Sequence, residues 1–172
     1  MASLFFTKGL SMDFYYLKDD YINYLRAFDK KVAENKNESR PYIGIVLSIN
    51  QIDYFAPFTS PKPKHLLMRN TIDFRKINGG KLGAININNM IPVVPSALIH
   101  INIFAIKNCQ YRRLMQMQWL AIKKDEPKII KSASALRRLI FSKDESLSTN
   151  QKKIKERCCN LVLLEQVYSK NK

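Results

Sequence analysis

The chain has 172 residues, 46% hydrophobic and 25% charged, which excludes wholesale disorder and leaves room for one domain with a sizeable core rather than two. Its 29 Lys and Arg against 14 Asp and Glu give a formal charge of +15, so its partners are expected among polyanions: RNA, DNA or acidic lipid. No apolar run approaches the roughly 18 residues that span a bilayer, and three cysteines without a CxxC spacing speak against a disulfide framework or a zinc site and for reduced thiols in a cytoplasm.

Residues 1–11 read as an N-terminal extension and 12–172 as a single domain that begins naturally at Met12. Residues 14–17 predict a short strand. Asp19 or Asp20 then caps a helix whose apolar stripe runs through Tyr21, Ile22, Tyr24, Leu25, Phe28 and Val32. Residues 33–40 are a polar loop. Residues 42–49 are apolar and β-branched and predict a buried strand; Asn50-Gln51 is a tight connection, and 54–58 return as the hairpin partner. A Pro-punctuated loop follows over 59–64, then a short strand over 72–77 and a turn at Asn78-Gly79-Gly80. Residues 82–91 predict a longer strand ended by Pro92 and Pro95, and 98–104 one more. From Asn108 the period becomes helical, through Tyr111, Leu114, Met115, Trp119 and Ile122. Pro127 is expected to break that helix. A second helix is expected over 128–141, a polar linker over 142–151 and a last helix over 158–168. Strands first and helices later make an α+β fold: a compact, strongly bent antiparallel sheet or small barrel, covered on one side, with a mostly helical C-terminal half.

The charge is concentrated after residue 50. Residues 1–50 carry seven basic and six acidic side chains, the remainder 22 and eight, and between Asp53 and Asp125 the single acid is Asp73. Within that basic stretch the segment Phe58-Thr59-Ser60-Pro61-Lys62-Pro63-Lys64-His65 places two hydroxyls, two ammonium groups and an imidazole after a strong strand. It reads either as a Pro-containing surface turn or as a reactive loop. RNA cleavage by the 2′-hydroxyl needs such groups: a base for the hydroxyl proton, positive charge for the phosphoryl oxygens and an acid for the leaving 5′-oxygen. Lys62 supplies charge or proton transfer. Thr59 and Ser60 bind phosphate oxygens or orient the hydroxyl, and His65 is a second acid or base. His100, in an apolar strand, reads as a core or half-buried structural histidine. Lys64, Arg75, Lys81, Arg112 and Arg113 are candidate RNA contacts, followed by Lys123, Lys124, Lys128, Lys131, Arg137 and Arg138. Tyr42, Tyr54, Phe74 and Tyr111 are either base-stacking or core aromatics. The sequence has no HExxH, no paired acids in the basic region and no Gly-rich phosphate loop, so neither metal nor cofactor is expected. These residues leave open a ribonuclease, a non-catalytic basic RNA-binding module and a peripheral membrane or partner-binding module, the last without a concentrated basic amphipathic segment.

Ordered motifs narrow the choice. Tyr42-Ile43-Gly44-Ile45-Val46-Leu47 precedes Tyr54-Phe55-Ala56-Pro57-Phe58-Thr59-Ser60-Pro61-Lys62. Then come Leu82-Gly83-Ala84-Ile85-Asn86, Met90-Ile91-Pro92-Val93, Tyr111-Arg112-Arg113-Leu114 and Asn160-Leu161-Val162-Leu163-Leu164-Glu165. Over about residues 12–168 this order resembles the ToxN/AbiQ family of type III toxin–antitoxin systems. The resemblance implies a Kid/MazF-like barrel core with added helices. It implies an endoribonuclease that leaves a 2′,3′-cyclic phosphate and a 5′-hydroxyl, often in A-rich RNA. It also implies inhibition by a repeated, pseudoknotted antitoxin RNA, with RNA-mediated assembly of several copies. Thr59, Ser60 and Lys62 match the family's active-site segment, His65 falls where the family has a histidine, and Arg40 sits where a family lysine does. The family's active-site tyrosine has no counterpart in residues 33–39.

Overall fold

The computed structural model of the protein describes residues 12–168 and 170. The N-terminal extension expected over residues 1–11 lies outside the described residues. Among the described residues, no helix is long and apolar enough to cross a membrane.

The first half forms the sheet. β1 (Asp13–Leu17) is followed by α1 (Asp19–Phe28), then by the hairpin of β2 (Tyr42–Ile49) and β3 (Ile52–Thr59). Asn50 and Gln51 both have positive φ, the two-residue turn whose twist suits a hairpin. β4 (Arg75–Lys76), β5 (Ala84–Ile85), β6 (Ile91–Pro92) and β7 (Leu98–His100) are short. The antiparallel order is β4-β5-β3-β2-β1-β7, with β6 also on β3, so β4 and β7 are edges and the sheet is open. The β2–β3 ladder is irregular at one point. The register slips between Gly44 and Leu47, where Ile45 and Val46 are left without partners on β3. Gly44 packs so tightly there that a Cβ would sit 2.0 Å from the Phe55 ring.

The strand expected over 82–91 is interrupted. It runs antiparallel to β3 as β5 and again as β6, but residues Ile87–Asn89 leave the ladder as a 3-10 turn. The expected strand over 72–77 survives only at β4, and that over 98–104 only at β7, beyond which Ile103–Ala105 is another 3-10 turn. Edge positions give these segments one neighbouring strand at most, too little to hold longer ladders. His100 is a correction as well. It stands exposed on edge strand β7, with Nε2 2.8 Å from Asp13 Oδ2.

Helices cover the sheet. α2 (Pro63–Leu67) is a single turn within the Pro-rich loop, and Pro63 at its first position needs no intrahelical N–H partner. α3 (Cys109–Phe141) runs 33 residues through Pro127, where a break was expected. Proline removes one helical hydrogen bond and crowds the carbonyl four residues back, at a cost of about 3 kcal/mol. Ile122 before it and Ile129, Ala133, Leu136 and Ile140 after it are all buried, and this packing keeps the two halves continuous while Pro127 faces solvent. α4 (Thr149–Arg157) begins inside the expected polar linker. Ser148 Oγ accepts from Gln151 N–H at 3.3 Å and Gln151 Oε1 accepts from Ser148 N–H at 2.9 Å, a reciprocal cap that starts a helix with no buried residue. α5 (Leu161–Tyr168) starts three residues later than expected, capped by Asn160 Oδ1 on Leu163 N–H at 3.2 Å. Cys158 and Cys159, just before it, are buried free thiols whose pKa burial pushes up to about 12.

One core lies between the sheet and α1, α3 and α5, with Phe14, Tyr42, Tyr54, Phe55 and Phe58 fully buried in it. Each such ring contributes roughly 1.5–3 kcal/mol from burial. A nearly buried network locks α5 to α3 and β3. Arg137 donates to both oxygens of Glu165 at 2.8 and 3.0 Å, and Tyr54 OH donates to the same carboxylate. Removing the carboxylate strands a guanidinium and a phenol together. Glu165→Ala is therefore expected to destabilise the fold by about 3 kcal/mol, read as a lowered urea midpoint; an unchanged midpoint refutes the network's role.

Candidate active site

The reactive loop opens onto a cleft of about 480 Å³ lined by residues from five parts of the chain. Thr59 ends β3. Lys62, Lys64 and His65 belong to the loop and α2. Arg69, Thr71, Asp73 and Phe74 come from the segment leading to β4; Asn86 precedes the Ile87–Asn89 turn and Asn88 lies within it, and Arg157 ends α4. Four cations thus face one carboxylate.

The end of β3 is held from below. Gly83 has φ +104° and lies so close that a Cβ there would sit 1.9 Å from the Thr59 carbonyl oxygen. Gly80 has φ +92°, and its Cβ would sit 2.5 Å from the His65 carbonyl oxygen. Only glycine allows both the backbone conformation and the approach. Gln118 of α3, 1% exposed, donates Nε2–H to Leu82 O at 2.8 Å and to Thr59 O at 3.5 Å. The Thr59 hydroxyl is itself buried and has no hydrogen-bond partner among the described residues. A buried hydroxyl left unpaired at a cleft wall costs free energy that a ligand can return.

His65 is 3% exposed, and its Nδ1 accepts the backbone N–H of Lys62 at 3.2 Å. Burial, then the ammonium groups of Lys64 and Lys62, hold its pKa below the ordinary value of 6.5. The imidazole is thus neutral at neutral pH, and because Nδ1 accepts, its proton is on Nε2. In this tautomer Nε2 is the ring's hydrogen-bond donor.

Asp73 is buried opposite a half-exposed partner. Its Oδ2 accepts from Arg157 Nε at 2.6 Å, and its Oδ1 from Arg157 Nη2 at 2.9 Å and Thr71 Oγ1 at 2.7 Å. Burial raises its pKa, but the hydrogen bonds from Arg157 and Thr71 outweigh that and hold the carboxyl below the usual range. Asp73, Arg157, Arg69, Asn86 and Asn88 did not emerge as site residues from the sequence. For Asp73 a signal existed: it is the single acid of its basic stretch. For the others none did, since long-range packing brings them in.

Other candidates fall elsewhere. Ser60 is exposed beside Thr59 and is not part of the cleft wall. Arg40 lies outside it, with Nε donating to Glu34 O at 2.5 Å. Arg75 is held by Asp125, with Nη2 2.7 Å from Oδ1, in a second groove with Lys76, Lys124 and Lys128. Lys81 and Arg113 are exposed away from the cleft, and Arg112 Nη1 donates to Ile106 O at 2.9 Å. Lys123 pairs with Glu126 at 3.2 Å and Arg137 is committed to Glu165. Of the aromatics, Phe74 lines the cleft; Tyr42 and Tyr54 are core, and Tyr111 is half-buried against Tyr16.

An α+β scaffold presenting a basic cleft with a neutral histidine, a lysine and an unpaired hydroxyl defines a polyanion-processing protein. Comparison with known proteins makes this specific. Residues 13–169 match the family model described as toxin ToxN of type III toxin–antitoxin systems, and the chain belongs to that family. It is 32% identical to the endoribonuclease ToxN of Pectobacterium atrosepticum (91% of this chain, 92% of that one). It is 32% identical to that of Bacillus thuringiensis subsp. kurstaki (89% and 80%) and 34% identical to the endoribonuclease AbiQ of Lactococcus lactis subsp. lactis (84% and 85%). A solved type III toxin–antitoxin structure, in which a non-coding RNA pseudoknot selectively inhibits the toxin, superposes with TM-score 0.83 at 31% identity over 94% of this chain and 98% of that one. The lactococcal anti-phage endoribonuclease AbiQ gives 0.76 at 27% identity, over 94% and 99%.

The glycine contacts yield a direct test. Gly83→Ala forces either the positive φ or the Thr59 carbonyl to change, and the expected loss is at least about 2 kcal/mol. That corresponds to a melting temperature lower by about 4–8 °C for a chain of this size; an unaltered melting curve contradicts the packing described.

Proposed function

We propose that this chain is a metal-independent endoribonuclease toxin, acting in the cytoplasm in abortive phage infection and neutralised by a repeated, pseudoknotted antitoxin RNA. The observation that carries the reading is the convergence of Thr59, Lys62 and His65 on one cleft, with the Thr59 hydroxyl lacking a partner among the described residues. The naming of the relatives as endoribonucleases supports it. We also read the open, strongly bent sheet as a Kid/MazF-like partial barrel, a view supported by β3 pairing with β2 along one edge and with β5 and β6 along the other.

In this mechanism the 2′-oxygen bonds to the adjacent phosphorus as the bond from phosphorus to the 5′-oxygen breaks. The products are a 2′,3′-cyclic phosphate and a 5′-hydroxyl, the nucleophile's proton leaving and the 5′-oxygen gaining one. The nucleophile belongs to the substrate, so the protein's task is to orient it and to meet developing charge. Lys62 faces the phosphoryl oxygens. The Thr59 hydroxyl binds one of them or orients the 2′-hydroxyl. The neutral His65 donates Nε2–H, as a neutral imidazole serves when its other nitrogen is already bonded. Asp73 is not the base, because both its oxygens accept from Arg157. Ser60 and Arg40 stay in the catalytic set on the family resemblance alone, since neither lines the cleft.

Lys62→Ala is expected to lower kcat at least about a hundredfold, with EDTA leaving the parent rate unchanged. Full cleavage by the variant refutes the assignment, and a parent protein that binds RNA without cutting it favours a non-catalytic binding module. The pH dependence has a defined sign. A histidine whose folded pKa is depressed stays neutral below 6.5, so activity and its stability contribution are complete above that value and fall as the pH drops through the lowered pKa. His65→Asn, which keeps an acceptor near Nδ1, is expected to fold normally and lose activity; His65→Gln, with its amide near Nε2, is expected to retain more. The reverse ranking in a cleavage assay removes the Nε2–H role.

A further inference from the structure

We propose that Arg157, aimed by Asp73, is a phosphate-binding residue of the RNA path and grips a phosphodiester adjoining the one that is cut. The inference rests on the endoribonuclease reading above and adds a residue to it. Three observations carry it.

The first is the asymmetry of the pair. The Asp73 side chain is 3% exposed and the Arg157 side chain 52% exposed. A pair serving only to staple α4 to the segment before β4 gains nothing from presenting its guanidinium to the cleft. The second is the use of donors. Nε and Nη2 are spent on the two carboxylate oxygens, which fixes the plane of the guanidinium. The remaining N–H groups, both on Nη1 and one on Nη2, have no partner among the described residues. They form a second fork, and a planar fork of two N–H groups matches two oxygens of a phosphodiester. The third is the neighbourhood. Arg157 shares the cleft with Lys62, Lys64 and Arg69. Its position is knit to the cleft floor by backbone: Cys159 N–H donates to Asn88 O at 2.9 Å, and Asn88 N–H to Asp73 O at 2.8 Å. A guanidinium fixed in advance loses less freedom on binding than one on a mobile stem. This accounts for a carboxylate surviving in a stretch otherwise cleared of acids: Asp73 costs little repulsion, being buried and neutralised, and it sets the direction of the cation.

The test separates contact from scaffolding. The probe is a short, 2′-O-methylated single-stranded RNA, which cannot be cut by its own 2′-hydroxyl, titrated at several salt concentrations. Arg157→Gln is expected to weaken binding about tenfold and to reduce the slope of log K against log salt by about 0.7, the loss of one phosphate contact. On cleavable RNA its KM rises more than its kcat falls. Asp73→Asn keeps the positive charge, so the slope stays while affinity drops. If Arg157→Gln proves unstable by melting curve, Arg157→Lys replaces it and is expected to preserve the slope while losing affinity, because an ammonium cannot form the fork. A folded Arg157→Gln protein with unchanged slope and KM overturns the proposal. So does an Asp73→Asn protein that binds as the parent does, as regards the aiming. A parent protein that never cuts RNA, yet shows the Arg157-dependent slope, defeats the endoribonuclease reading and leaves the phosphate contact standing.

Discussion

The end of β3 is gripped between a glycine turn and a helix, and the cleft depends on that grip. Gly83 leaves no room for a side chain beneath the Thr59 carbonyl, Gly80 none beneath that of His65, and the buried Gln118 amide ties Thr59 and Leu82 to α3. The strand's last residue and the following helical turn therefore cannot drift relative to each other. That matters because the groups brought together are short or stiff: a hydroxyl, an imidazole bonded back to the Lys62 amide, and a lysine whose backbone that bond restrains. Positioning to within a fraction of an ångström is what distinguishes an assembled site from a set of nearby polar residues.

Electrostatics is divided in the same way between scaffold and site. Arg75, Arg137 and Lys155 are satisfied by Asp125, Glu165 and Asp144. These pairs hold the segment before β5 against α3, α5 against α3, and α4 against the turn before it. In the cleft the balance tips the other way, with one buried carboxylate among four cations. A polyanion entering there meets charge that the protein has not already neutralised, in a concavity where water screens less than on an open face. The depressed pKa of His65 follows first from its burial and then from the same surroundings, since a further positive charge beside Lys64 and Lys62 is unfavourable. Family membership and the physics of the cleft thus lead to the same substrate class by separate routes.

Much of this was legible in the residues. The hairpin of β2 and β3 followed from continuous apolar runs around Asn50-Gln51, α1 from its stripe, and the reactive loop from its polar groups behind a strong strand. The capping pair Ser148 and Gln151 went unread, and α4 begins inside what looks like a linker. Less legible were the short strands. Residues 82–91 carry one continuous apolar pattern, but β3 can accept them only in two pieces around the turn at Ile87–Asn89. Pro127 misled for a related reason: local rules price the lost hydrogen bond, whereas burial on both sides decides whether the helix continues.

By itself, the sequence determined the fold class, the family and the segment that carries Thr59, Lys62 and His65, because these rest on local periodicity and on motifs contiguous in the chain. Tertiary structure alone decided which cations are free. Arg75, Arg137 and Arg157 look no different from Lys64 in one dimension, and only the placement of Asp125, Glu165 and Asp73 shows which of them are paired. It also decided which ring nitrogen of His65 accepts, since that depends on which atom meets the Lys62 amide. Apolar pattern is a local property, whereas charge pairing and tautomer are set by groups that fold together from distant parts of the chain.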